Sequence, residues 1–572
     1  MLMRGSSQHV SCRVGFWVAI AAVLFIVSWR LCVIACQRHL LAVATEVGSI
    51  AQSKEEMINE ELVPSSDGHG LIFFQETETG LGTYFYDNAS GNSKLLFEQR
   101  ENGFNGFLGS VAWSPDNRLL ACAFKNDADP QHPKREIDIY DGISGETVLK
   151  IDALWDSRFI WLSSSSFAYT KHNGAWLVFK HKPDGNWLQT QVVRKFGRDD
   201  YLYNLMAISP HAVAWEQENE VWTHDLTTGV ETKIWPAINT LYGFTYDGDT
   251  GDFLLNSKDE SGLITIRFRP PRLGEKQGTI LETNRDYGRT RHVNLHIEQG
   301  LYSFTIMTGT NSESIRFVWD GMVEYYKLAG DYVYFTGNRA NGPPGIWQYN
   351  IKSKEARSLD SGLKRKFKYT KMVTPIGGMV TNAEGKQMNY HVWTPAHVSP
   401  GKKYPLIIGQ THYMWFSYQQ VAANGGYYFA SADRLSWLAG LDDWGADVMG
   451  LYEILAKNPN IDTNRVYLFA TSAESRYLSL LVSEKPDLWK GFILFNPVAK
   501  PDLSSAHLSR MFIVGGIDDG NAVEWLTKYQ DEAARDGIPV KLILQDGVQH
   551  ITRSIATERE RTRQFARFLM EN

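Results

Sequence analysis

Cysteine is scarce: the 572 residues hold four, Cys12, Cys32, Cys36 and Cys122. Three lie in or beside an apolar N-terminal tract, so the body carries one thiol and forms no internal disulfide, which excludes a disulfide-stapled extracellular scaffold. Charge of one sign is lacking too. Lys plus Arg number 58 against 64 Asp plus Glu, a net charge of -6 with no basic block, and this argues against a nucleic-acid partner. No His/Cys/Asp cluster has metal-ligand spacing. Gly515-Gly516 follows an apolar stretch but the rest of a dinucleotide fingerprint is missing, so neither metal nor cofactor is expected.

Long apolar runs are also rare, with one exception. Val14 to Trp29 contains no charge, and the tract continues past Arg30 to Cys36, long enough to span a membrane if Arg30 snorkels to the interface. An uncleaved anchor over residues 1–38 is the favoured reading, because no small-residue cleavage site follows cleanly. A cleaved signal peptide and a lipoprotein signal ending Val33-Ile-Ala-Cys36 are the alternatives. The anchor reading makes the protein single-pass, with its body on the extracytoplasmic side. Residues 39–67 read as a stalk, a polar helix to about Glu61, or as a disordered linker.

Aromatics are plentiful, with 18 Trp, 26 Tyr and 28 Phe. Over residues 68–362 short apolar strands alternate with Gly, Asn, Asp and Ser turns, and one closing turn recurs. It reads Tyr86-Asp-Asn-Ala-Ser-Gly91, then Tyr140 to Gly145, His181 to Gly185, His224-Asp-Leu-Thr-Thr-Gly229 and Tyr349 to Lys354. A period near ~40 residues with about four strands per unit predicts an all-β propeller, here of six to seven blades. Tyr242 to Asp320 is the least regular part.

From residue 363 to 572 strands alternate with helices, which predicts a mostly parallel, doubly wound sheet. The apolar run Arg465 to Ala470 stops at Thr471-Ser472-Ala473 and a helical pattern follows, the layout of a nucleophile elbow. A serine hydroxyl needs a base, and the base needs a carboxylate to fix its tautomer. Asp518 and Asp519 follow the strand Arg510 to Val514, and His550 follows the strand Val540 to Leu544, in the order an α/β-hydrolase requires. Taken singly, each has a plain alternative: Ser472 as a helix N-cap, the two aspartates as caps of a helix starting near Ala522, His550 as one histidine of 15.

Together these stretches resemble the prolyl oligopeptidase and dipeptidyl peptidase IV family, in which a propeller precedes an α/β-hydrolase domain. The resemblance rests on Lys403-Tyr-Pro-Leu-Ile-Ile, on Asn460 to Ala473, on Asn496-Pro-Val and on Gly516-Ile-Asp518-Asp519. It implies Ser472 as nucleophile, Asp518 as orienting acid and His550 as base. It also implies an oxyanion hole from Ala473 N–H and the loop at Thr411 and Tyr413. A serine peptidase acting on short peptides or small acyl substrates, in the cleft between the domains, is the implied activity. Homodimer formation stays open.

Three departures set the chain apart. Ala470 and Glu474 stand where the elbow normally has glycines, and Glu474 would strain the turn unless its side chain reaches solvent or a partner. Gly409-Gln-Thr-His-Tyr-Met-Trp415 replaces the family's Tyr-Gly-Gly-Pro oxyanion loop. Val498 to Ser509 is too short for the excursion that carries the proline pocket, and Glu216-Gln-Glu-Asn-Glu220 reads as a polar turn rather than an amino-terminus clamp. These departures leave two further readings, a catalytically impaired pseudo-hydrolase serving as a membrane-anchored binding protein, and an esterase.

Overall fold

The computed structural model describes residue 30, residues 33–49 and, with interruptions at loops, residues 62–571; residues 1–29, 50–61, 411–415, 434–443, 503–507, 518–521 and 549–553 are among those outside the description. Most of the apolar tract read as an anchor therefore lies outside the described residues. Among those described, no helix is long and apolar enough to cross a membrane. The chain divides into two compact units, Ala51–Arg339 with Pro344–Leu363, and Lys364–Asn572 with Met1–Ile50 and Ala340–Pro343.

The first unit holds seven described antiparallel sheets, each a meander of consecutive strands. Six have four strands, from Leu62–Pro64, Gly70–Glu76, Gly80–Asp87 and Asn92–Arg100 at the start to Gly321–Ala329, Tyr332–Arg339, Pro344–Asn350 and Glu355–Ser358 at the end. The irregular stretch of sequence forms a four-stranded sheet over Leu241–Asn284 and a three-stranded one over His292–Trp319. First strands lie side by side from the first sheet through the fifth, and again between the sixth and seventh. The seventh sheet's first strand also lies against Leu62–Pro64, which closes a ring of blades.

The recurring turn has a physical cause. Asp87 accepts the N–H groups of Ala89 and Ser90, Asp225 those of Thr227 and Thr228, and Asn350 those of Lys352 and Ser353. The fourth residue on then turns left-handed, with φ of 71° at Gly91, 72° at Gly229 and 59° at Lys354. Glycine takes that conformation freely, whereas Lys354 bears the strain of its Cβ. Blade joins use tryptophan: Trp113 donates to Val63 O and Trp161 to Ala112 O, each at 3.0 Å, reaching back to the preceding sheet. The ring closes on apolar packing of Leu62, Leu71 and Phe73 with Tyr334, Ile346 and Leu359. The acidic run 216–220 falls in a hairpin, Gln217 pairing with Glu220, whose carboxylate is engaged by Trp222 and Lys233.

In the second unit we number strands β1 Ile376–Thr381, β2 Gln387–Trp393, β3 Tyr404–Gln410, β4 Tyr428–Asp433, β5 Ile461–Thr471, β6 Trp489–Phe495, β7 Arg510–Gly516 and β8 Val540–Gln545. Helices are α1 (residues 33–47), α2 Phe416–Asn424, α3 Trp444–Leu455, α4 Leu478–Glu484, α5 Ala522–Arg535 and α6 Ile555–Met570. The sheet order is β1-β2-β4-β3-β5-β6-β7-β8, antiparallel through β4 and parallel from there on. Strand β5 lies inside the sheet and is buried on both faces, which is why it reads as a continuous apolar run. Leu468 and Ala470 join one core, with Leu406, Leu494 and Ile513. On the other face Phe469 stacks on Phe495, which packs against Tyr418 of α2.

Helix α1 changes the reading of residues 39–67. Leu40, Val43, Ala44 and Val47, spaced for one helical face, are buried in this unit. Ser417 of α2 donates to Val47 O at 3.1 Å, and a Cβ at Gly48 would lie 2.9 Å from the Arg559 Cα of α6. Residues 39–49 are thus docked on the hydrolase unit, and Leu62–Pro64 is a propeller strand; the described parts of the expected stalk are built into the two units.

Candidate active site

Parallel pairing places the carboxyl ends of β3, β5, β6, β7 and β8 along one sheet edge: Gly409 is level with Phe469, Thr471 with Phe495, Phe495 with Val514, and Gly516 with Gln545. Strand β3 approaches β5 so closely that a Cβ on Gly409 would sit 2.1 Å from Phe469 O. Ser472 is the first residue past β5 at this edge. Asp518 lies two residues past the end of β7 and His550 five past β8, while Thr411 is the residue after β3; these three and Tyr413 lie outside the described residues. Of the predicted site, the structure therefore describes Ser472 and the backbone of Ala473.

Ser472 has a φ of 42°, in the left-handed region that side chains rarely occupy. A six-residue 3-10 segment, Ser472–Tyr477, begins here and leads into α4. A strand, one strained residue and a helical turn make the sharp elbow that lifts a serine hydroxyl off the end of a sheet. Sequence pattern predicts a helix from Glu474; the first turn is instead wound tighter, as expected where the chain reverses on leaving a strand.

The side chains after the serine fasten this elbow, and the Thr471-x-x-Glu474 spacing, that of a capping box, is the signal in sequence that could have found them. Glu474 turns back to the strand end and accepts the Thr471 N–H at 2.7 Å, with the Thr471 hydroxyl at 3.2 Å. It is buried, and burial pushes its pKa up to about 8, opposed by the Thr471 N–H and hydroxyl. Ser475 donates to Ser472 O at 2.7 Å and accepts the N–H groups of Val498 and Ala499 at 3.1 and 3.0 Å. One hydroxyl thus joins the elbow to the loop after β6. That loop starts at Asn496, left-handed as well with φ 44°, buried, its N–H bonded to Val514 O at 2.8 Å. Its side-chain oxygen meets no hydrogen-bond donor.

Among the described residues no group of three or more His, Cys, Asp or Glu side chains could hold a metal ion. The chemistry available at the described edge is that of a serine hydroxyl with a backbone N–H one residue later.

No protein-family model matches the sequence, and no curated protein does. Solved structures do match. A prolyl endopeptidase structure superposes with a TM-score of 0.63 at 13% identity, covering 94% of this chain and 91% of that one. A post-proline cleaving enzyme from Rickettsia typhi gives 0.60 at 9% identity, covering 94% of each chain. Porphyromonas gingivalis dipeptidyl peptidase 4 gives 0.52 at 14% identity, covering 91% of each. This chain has the prolyl oligopeptidase-family fold. The fold accounts for a propeller ahead of an α/β-hydrolase unit.

Proposed function

We propose that the protein is a serine hydrolase that cleaves short peptides or small acyl substrates through an acyl-enzyme. The left-handed Ser472 at the carboxyl end of an interior strand, just before a helical turn, is the observation that carries this reading. A residue other than glycine is kept in a strained conformation where the strain serves a purpose, and exposing a nucleophile is such a purpose. The solved structures with the same fold are peptidases, which supports the choice of substrate.

In this mechanism Ser472 Oγ attacks the substrate carbonyl carbon as its proton passes to His550. Asp518 holds the imidazole in the tautomer that can receive it. The tetrahedral oxyanion takes a hydrogen bond from Ala473 N–H and a second from the loop bearing Thr411 and Tyr413. His550 then protonates the leaving group, and water repeats the sequence to free the serine. The short connection Val498 to Ser509 leaves proline selectivity without its usual aromatic wall, so small acyl groups fit the reading as well as prolyl peptides do. The apolar tract through Cys36 would anchor the chain in a membrane, which resistance of the full-length chain to carbonate extraction tests.

The decisive experiment is labelling of the full-length chain, solubilised in detergent, with a fluorophosphonate. Labelling that disappears in Ser472→Ala and falls steeply in His550→Ala supports the enzyme. An unlabelled wild type, or equal labelling of Ser472→Ala, replaces this reading with that of a pseudo-hydrolase whose domain serves binding.

A further inference from the structure

Two residues after the serine, where an elbow glycine would let helix and strand backbones touch, this chain places a glutamate. Added bulk at that point has to go somewhere. Its carboxyl group folds back by three residues, onto the N–H and hydroxyl of Thr471, the residue just before the nucleophile. The ring so formed, from Thr471 to Glu474, encloses Ser472 and Ala473. Ser472 carries the positive φ, so the contact spans the strained residue itself.

We propose that Glu474 is a positioning residue for Ser472: its carboxyl group ties residue 471 to residue 474 and so holds the nucleophile in its left-handed conformation, replacing the backbone approach that glycine would allow. This inference rests on the serine-hydrolase reading for its consequence in catalysis, but the tie itself does not.

The surroundings decide which form of the acid makes the tie. Glu474 is buried, and among the described residues no lysine or arginine pairs with it. Strand β5 offers Asp462 and Arg465 only at its opposite end, where they pair with each other. Arg476 of the turn is exposed, and Asp447 of α3, which packs on the turn, is engaged with Asn382. A buried carboxylate with no cation keeps its proton instead. Its pKa near 8 follows from burial, so at neutral pH the tie is made by a neutral acid. Glutamine reproduces a neutral acceptor of the same length; alanine reproduces nothing. Above pH 8 the wild type places a negative charge beside a reaction that itself develops an oxyanion, and like charges so close repel.

Two measurements on the full-length chain test this. The first is amide hydrogen exchange at Thr471, which needs no activity. Wild type and Glu474→Gln should protect that N–H alike, and Glu474→Ala should exchange it about tenfold faster, the equivalent of one lost capping bond. The second is the rate of fluorophosphonate labelling against pH. Glu474→Gln should follow wild type to about pH 8 and exceed it above, as the carboxyl ionises only in wild type. Glu474→Ala should label about tenfold slower at every pH while melting cooperatively. Equal Thr471 exchange in all three proteins overturns the proposal, as does a wild-type pH profile in Glu474→Gln. If wild type exchanges as expected but does not label, the hydrolase reading fails and the tie stands as a structural device.

Discussion

Two glutamates of the hydrolase unit each receive backbone N–H groups, one at the elbow and one where α1 docks, and they differ in charge. Glu474 accepts one N–H and is buried, so desolvation dominates and its pKa rises to about 8. Burial also acts to raise the pKa of Glu46. Hydrogen bonds outweigh it there: the N–H groups of Lys368, Tyr369 and Thr370 and the Thr370 hydroxyl all converge on that carboxylate, and the net shift is downward. Counting donors against burial, rather than naming the residue type, separates a neutral acid from a fixed anion. The anion holds the returning chain to the N-terminal helix; the neutral acid holds a turn.

Opposite pH dependences follow. A folded-state pKa above the unfolded one means stability that is full below about pH 4.5 and lost as pH rises to about 8. Replacing Glu474 with Gln should remove that loss, so unfolding curves of wild type and variant should converge at low pH. They should separate by on the order of 5 kcal/mol at pH 9, the largest effect expected here. Parallel curves from pH 4 to 9 would place the Glu474 carboxyl in water. Next in size is Ser475→Ala. It strands the Ala499 N–H, leaves the Val498 N–H only its long bond to Ser472 O at 3.3 Å, and should cost roughly 2 kcal/mol in denaturant midpoint analysis, with no pH dependence of its own. A loss below half of that would mean water replaces the hydroxyl, and that the elbow hangs on Glu474 alone.

What could be read from residues alone follows from how local each feature is. The propeller was legible because its turns repeat an Asx-type contact within five residues, as at Asp87 to Gly91. The terminal helix was legible from Ile555 to Met570 as a run of good helix formers without glycine or proline, although its buried face carries Glu558, Arg561 and Thr562. The serine elbow was placed correctly by a strand ending at Thr471. Helix α1 was not legible as part of the hydrolase unit, because Leu40 to Val47 pack against α2 and α6, several hundred residues further on. Glu474 carries a capping-box signal with Thr471, but that the contact spans a strained serine shows only in the φ of Ser472. The predicted acid, base and oxyanion loop lie outside the described residues, so for them the strand ends alone carry the placement.

The two smallest effects sharpen the comparison. Glu46→Gln keeps the shape and one acceptor but loses the charge. Glu46 is only partly buried, so screening limits the effect to about 1 kcal/mol at neutral pH. Its folded pKa is depressed, so the contribution exists above the unfolded value and fades as pH falls through the folded one; below the folded value variant and wild type should melt together. Asn496 supplies the control. It shares the left-handed backbone of Ser472 at the next strand end, but its side-chain oxygen is buried without a donor. The Ser475 hydroxyl holds the loop two and three residues further on, but among the described residues no side chain bridges residue 496 itself as Glu474 bridges Ser472. Asn496→Gly should therefore leave the protein as stable or raise it by roughly 0.5–1 kcal/mol, since glycine takes a positive φ without strain and the orphaned oxygen is gone. A loss of more than about 1 kcal/mol on thermal or chemical unfolding would show that the asparagine side chain holds its turn as well, and the contrast between a tied and an untied strand end would fall.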